Sequence, residues 1–140
     1  MTGGTLYLLD TNTVAYIVNG RSPAARQRMA QQIKHSVIAI SAISEAEVLY
    51  GLAKNPAATR LRSAVEGLFS AIRVLPWDSE AARAYGTLRA KMTVAGKSLS
   101  TMDMLIAAHA LATDAILVTR DKAFAQVSGL RPTLNWATDL

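Results

Sequence analysis

The chain has 140 residues, 51% apolar and 18% charged, enough to bury a core and too apolar for a disordered segment. Fifteen Lys and Arg against ten Asp and Glu leave a formal charge of +5, which favours an anionic partner without bearing on the fold. The absence of cysteine excludes disulfides, thiolate zinc sites, iron–sulfur clusters and a cysteine nucleophile.

In chain order, the first apolar run, Leu6–Leu9, is broken at once by Asp10. A secretory signal needs an apolar core of about 7–15 residues, and a membrane span needs about 20. A cytoplasmic chain with no membrane contact is the expectation. Thr5–Leu9 reads as a buried strand, and Val37–Ile40, Ile72–Leu75 and Ala115–Val118 read as three more. The intervening segments 12–19, 22–34, 43–53, 57–70, 79–96, 101–113 and 121–127 are rich in Ala, Leu, Arg and Gln and read as helices. Gly20, Pro23, Pro56, Pro76, Gly96 and Gly129 fall near their boundaries. Strands alternating with helices predict an α/β domain around a parallel sheet. No repeat or linker interrupts residues 1–140, so a single domain is expected.

Parallel α/β sheets carry their functional residues beyond the carboxyl ends of the strands. The acids follow the strands accordingly. The first strand runs into Asp10-Thr11-Asn12, the second is followed by Ser44-Glu45-Ala46-Glu47, and the fourth runs into Thr119-Arg120-Asp121. Asp103 lies in the first turn of the helix leading to the fourth strand. If these segments are neighbours, four carboxylates meet at one edge, a costly arrangement unless divalent cations neutralise it. Oxygen donors without His or Cys point to Mg²⁺ or Mn²⁺.

Each acid also has a structural reading. Asp10 and Asp121 suit helix N-caps, and Ser100-Thr101-Met102-Asp103 is a capping box. Asp103 can serve both purposes, since both need the same place at a helix N-terminus. Glu45 and Glu47 lie about 200° apart around a helix and cannot share one pocket. Asp78 reads as a helix start and nothing more. His109, within an apolar helix, reads as a core residue, and His35 as an exposed one.

Taken in order, these motifs resemble those of the PIN-domain proteins, specifically the VapC-type toxins of bacterial toxin–antitoxin pairs. MTGGTLYLLDTNTVAYIV is similar to their opening strand with Asp-Thr/Ser-Asn, and ISAISEAEVLYGLAK to their Ala-Glu-Leu-x-x-Gly motif, which assigns the acidic position to Glu47. Asp103-Met104-Leu105-Ile106-Ala107-Ala108 matches Asp-x-x-Ile-Ala-Ala, and AILVTRDKAFAQVSGLRPTLNW the fourth strand, Thr-x-Asp/Asn and the closing Asn-Trp. The resemblance covers nearly the whole chain. It implies a three-layer α/β/α fold with a central parallel sheet of about four to five strands. It also implies a Mg²⁺-dependent endoribonuclease (Mn²⁺ being an alternative) that hydrolyses structured RNA of the tRNA or rRNA type by metal-activated water. Asp10, Glu47, Asp103 and Asp121 would then be both the catalytic residues and the metal ligands. Thr11 and Asn12 would orient Asp10, and Thr119 would hold a water or a phosphate oxygen.

Twelve of the fifteen bases fall between Arg21 and Lys97 and would contact RNA phosphates, against the plainer reading of a solvated surface. Val14, Tyr16, Ile17 and Val18, with Val48, Leu49, Tyr50 and Leu52, read either as core or, by the resemblance, as a groove for a VapB-like antitoxin helix and a homodimer face. Gathering four acids in one pocket would leave six against fifteen bases elsewhere. The competing reading is a non-catalytic module of the same fold that binds RNA or protein. An aspartyl-phosphate receiver fits poorly, since no second Asp adjoins Asp10 and no Gly-rich phosphate loop occurs.

Overall fold

The computed structural model describes residues 4–137; Asp139 lies outside them. The elements run β1 (Leu6–Leu9), α1 (Thr11–Val18), α2 (Pro23–Gln32), β2 (Val37–Ser41), α3 (Ala42–Ala53), α4 (Thr59–Ala71), β3 (Arg73–Leu75), α5 (Ser79–Val94), α6 (Thr101–Thr113) and β4 (Ile116–Val118), with a closing 3₁₀ turn, Lys122–Gln126. The strands form one sheet in the order β3-β2-β1-β4. All pairings are parallel: Tyr7 lies opposite Ile38 on one side and Ile116 on the other.

Strand residues alternate between two cores, as the two-residue repeat of a pleated sheet requires. Leu8, Ala39 and Leu117 face one layer with Leu88 and Met92 of α5 and Met104, Ala107 and Ala108 of α6. Tyr7, Leu9, Ile38, Ile40 and Val118 face the other with Val14 and Ile17 of α1, Ala25 of α2 and Leu68 of α4. Two helical layers thus enclose the sheet, the expected α/β/α arrangement. Among the described residues no helix is long and apolar enough to cross a membrane.

Helix starts follow the local chemistry. Asp10, Ser22, Ser41, Asp78 and Ser100 are N-caps whose side chains accept from backbone N–H groups of the first turn. Asp78 is the plain helix start expected of it. Most boundaries shift by a residue or two from the sequence reading, and three shifts have a local cause. Ile72 caps the end of α4 instead of opening β3, α2 stops at Gln32, and the helix expected over 121–127 is the short 3₁₀ turn. Beyond that turn, Leu134 bridges to Val118, and Trp136 is buried with its ring 5.3 Å from that of Tyr7.

The order β3-β2-β1-β4 places β1 between strands reached by opposite crossovers. Crevices outside the carboxyl ends of strands form at such switch points. Asp10 stands at this one.

Candidate active site

Asp10 leaves β1 in an extended conformation and caps α1. Its Oδ1 accepts from the Thr13 backbone N–H at 2.8 Å, and its Oδ2 accepts from the Thr119 hydroxyl. Thr119 follows β4 and is itself an acceptor for the Asp121 N–H at 2.9 Å. The ends of β1 and β4 are stitched further, because the Val118 carbonyl accepts from the Asp10 N–H and the Thr13 hydroxyl, both at 3.1 Å. A buried carboxylate is therefore fixed by two elements distant in sequence.

Glu47 comes from α3. The Thr11 hydroxyl donates to Glu47 Oε1 at 2.7 Å and lies 2.9 Å from the buried Ser44 Oγ, one turn earlier on the same face of α3. Asp103 occupies the first turn of α6, where its N–H donates to Ser100 Oγ at 3.2 Å. Asp10, Glu47 and Asp103 line one cleft of about 270 Å³ together with Thr11, Asn12 and Ser100, with Met102 and Ile106 as its apolar wall. Two larger hollows, of about 440 and 590 Å³, contain between them a single acid, Glu80, which is paired with Arg83.

The carboxylates perturb one another. Burial raises the pKa of Asp10 above the ordinary carboxylate range, against the hydrogen bonds from Thr119 and Thr13, and the charge of Asp121 adds to the rise. Burial likewise raises Asp103, with further upward contributions from Asp121, Asp10 and Glu47, against a hydrogen bond with Ser100. Repulsion of this kind is relieved by a proton or by a cation. Among the described residues, no three acids or histidines are grouped tightly enough to hold an ion on side chains alone.

Asp121 is exposed and caps the 3₁₀ turn, with Oδ1 accepting from the Ala123 N–H at 2.9 Å, and its charge acts on both Asp10 and Asp103. One expectation needs correction. Thr13 and Thr119, not Thr11 and Asn12, orient Asp10; Thr11 serves Glu47, and Asn12 is an exposed wall residue. The Thr119 hydroxyl donates to Asp10 and accepts from the Asp121 N–H. Thr13 and Ser44 were missed. Their signals were the N-cap-to-N3 offset from Asp10 and the three-residue spacing before Glu47.

The histidines stand as expected. His109 is 2% exposed, with Nδ1 2.8 Å from Ser41 Oγ, and burial lowers its pKa so that it remains neutral at physiological pH. His35 is exposed. Of the apolar residues considered for a docking surface, Val14, Ile17 and Leu52 are core, whereas Leu49 and Tyr50 are exposed.

Residues 7–130 match the family model of the PIN domain. The chain belongs to the PIN-domain family. This PIN domain is 31% identical over 132 residues to the tRNA(fMet)-specific endonuclease VapC of Shigella flexneri, covering 94% of this chain and 98% of the relative. It is also 31% identical to Ribonuclease VapC2 of Rickettsia felis, over 89% and 94% of the two chains. Among solved structures, the PIN domain superposes on VapBC2 of R. felis bound to a promoter DNA fragment with a TM-score of 0.86 at 29% identity. It superposes on DNA-bound VapBC of Salmonella typhimurium with 0.85 at 30% identity; each match covers 94% of this chain and 98% of the other.

Proposed function

We propose that this PIN domain is a metal-dependent endoribonuclease, the toxin of a toxin–antitoxin pair, which cleaves structured RNA of the tRNA or rRNA type and arrests growth until a VapB-like antitoxin neutralises it. One observation carries the reading: Asp10, Glu47 and Asp103, from three separated segments, share one cleft at the carboxyl edge of the sheet in an otherwise basic chain. Relatives at about this identity are named ribonucleases, and one is named for tRNA(fMet).

The donor set fits a hydrated Mg²⁺ or Mn²⁺. Such hard ions take carboxylate oxygens, and Mg²⁺ retains several waters and needs only one or two carboxylates. Asp10, Glu47 and Asp103 would hold the ion, with Asp121 reaching it through water. An ion held there would supply a nucleophilic water at neutral pH and would offset charge on the phosphate. The chain does the positioning. Thr13 and Thr119 fix Asp10, Thr11, itself in contact with Ser44, fixes Glu47, and Ser100 holds the turn that carries Asp103. Surface Lys and Arg residues attract the RNA backbone without reading its sequence.

The antitoxin reading rests on the solved relatives, which are VapBC complexes, and on the exposed apolar Leu49 and Tyr50 of α3. A homodimer face would lie on the same apolar surface. The cytoplasm, where cellular RNA is reached, is the proposed location.

The test is to express wild type and Asp103→Asn briefly in cells and map RNA ends. New ends at discrete positions in tRNA or rRNA, present only with the wild type, are expected together with growth arrest. Identical end maps from the two proteins would refute the reading.

A further inference from the structure

Arg120 stands directly after Thr119, the residue that grips Asp10. It is exposed, and its Cζ lies 4.8 Å from the ring centroid of Tyr16, a half-buried residue of α1. Asp10 caps this same helix, so both ends of the Arg120–Tyr16 contact are anchored to the elements that build the cleft. Among the described residues no carboxylate forms an ion pair with Arg120, although Asp121 is its neighbour in the chain; the ion pair found there joins Arg83 to Glu80. The charges that act on Asp10 and Asp103 are those of other acids. The guanidinium is thus held at the rim of an acidic cleft without being consumed by it.

A ring face holds a cation electrostatically and leaves the paired N–H donors of the guanidinium for another partner. Those donors match phosphate oxygens two at a time. Holding the side chain on Tyr16 also removes conformational freedom that binding would otherwise have to remove. Tyr16 lies six residues past Asp10, roughly 9 Å along the helix axis at about 1.5 Å per residue. The site offered there is therefore beside the scissile phosphate and not at it.

We propose that Arg120, held on the ring of Tyr16, anchors a phosphate of the RNA strand flanking the scissile bond and so sets substrate affinity. The proposal rests on the ribonuclease reading above. Arg120 is here a positioning residue, since it touches no reacting atom.

Binding is measured by retention of end-labelled bulk tRNA on protein carrying Asp103→Asn, across a salt series. Cleavage of the same RNA is measured without that substitution, with far-UV circular dichroism as the check on folding. Arg120→Ala is expected to weaken binding about tenfold, the loss of one charge-assisted contact. It should also flatten the slope of log K against log salt by about 0.7, the contribution of one phosphate on a single strand. KM should rise while kcat holds. Tyr16→Phe keeps the ring and should bind as wild type, whereas Tyr16→Leu should lose part of the affinity. Unchanged affinity and slope in Arg120→Ala would overturn the anchor, as would a fall confined to kcat. If Arg120→Ala fails to fold, Arg120→Gln is read by the same criteria. Should the parent protein neither retain nor cleave the RNA, the ribonuclease reading itself fails; if the parent does both and Arg120→Ala matches it, only the anchor fails.

Discussion

At the scale of single residues, Asp10 is the most constrained group of the site, buried and held by Thr13 and Thr119. Thr119→Val removes a hydrogen bond to the ionised carboxylate, so the Asp10 pKa rises further. A protonated Asp10 cannot hold a cation. The acid limb of the kcat/KM profile should therefore move to higher pH, with kcat/KM down about 10- to 100-fold at neutrality, the usual loss for a partner that orients a metal ligand. An unshifted acid limb would mean that Thr119 does not govern this carboxylate. The acids themselves were legible in the sequence because a strand end followed by Asp, or a first helical turn bearing Asp, fixes their place along the chain. Their partners were not. Thr11 and Thr13 both follow Asp10, and only the packing of α3 and β4 around α1 decides that one hydroxyl serves Glu47 while the other meets Val118. Asp121 keeps the capping role that its place before a helical segment offered: the chain tightens into a 3₁₀ turn there, and Oδ1 accepts from its own backbone.

At the scale of elements, Ser41 joins three of them: it ends β2, caps α3 and meets His109 of α6. It accepts from the Ile43 N–H at 3.1 Å, and its single proton is then available to His109 Nδ1. Ser41→Ala leaves both partners without their bond in a dry environment. A loss of about 1–3 kcal/mol is expected, the cost of an unsatisfied buried group. Urea unfolding measures it, and a value within experimental error of zero would show that the junction is relaxed. Because α3 carries Glu47, the same variant should also slow cleavage. Helix lengths and most caps could be read from Ser, Asp and Pro at the boundaries. Strand order could not, since every strand is short, apolar and of nearly the same composition, and pairing preference is a property of the packed layers.

For the whole molecule, the two cores lie on either side of the sheet and, Ile106 apart, draw on apolar side chains that do not line the cleft. Chelation with EDTA should therefore abolish RNA cleavage while leaving the circular dichroism spectrum intact. The metal-free stability carries a pH signature. The folded pKa of Asp10 lies above its unfolded value, so the unfolded chain releases this proton first as pH rises. The resulting penalty is absent below the unfolded value and complete above the folded one. Asp10→Asn should accordingly raise Tm by a few degrees at neutral pH, and Mg²⁺ should raise Tm of the wild type but not of the variant, since a ligand stabilises only the state that binds it. Equal Mg²⁺ responses would place the ion elsewhere. The pairing of β1 with β4 also governs when a working protein first exists during synthesis. Asp10 and Thr119 are 109 residues apart, and a growing chain emerges N-terminus first at about 5–20 residues per second. Until β4 clears the ribosome, Asp10 lacks the hydroxyl that sets it and the chain lacks its outer strand.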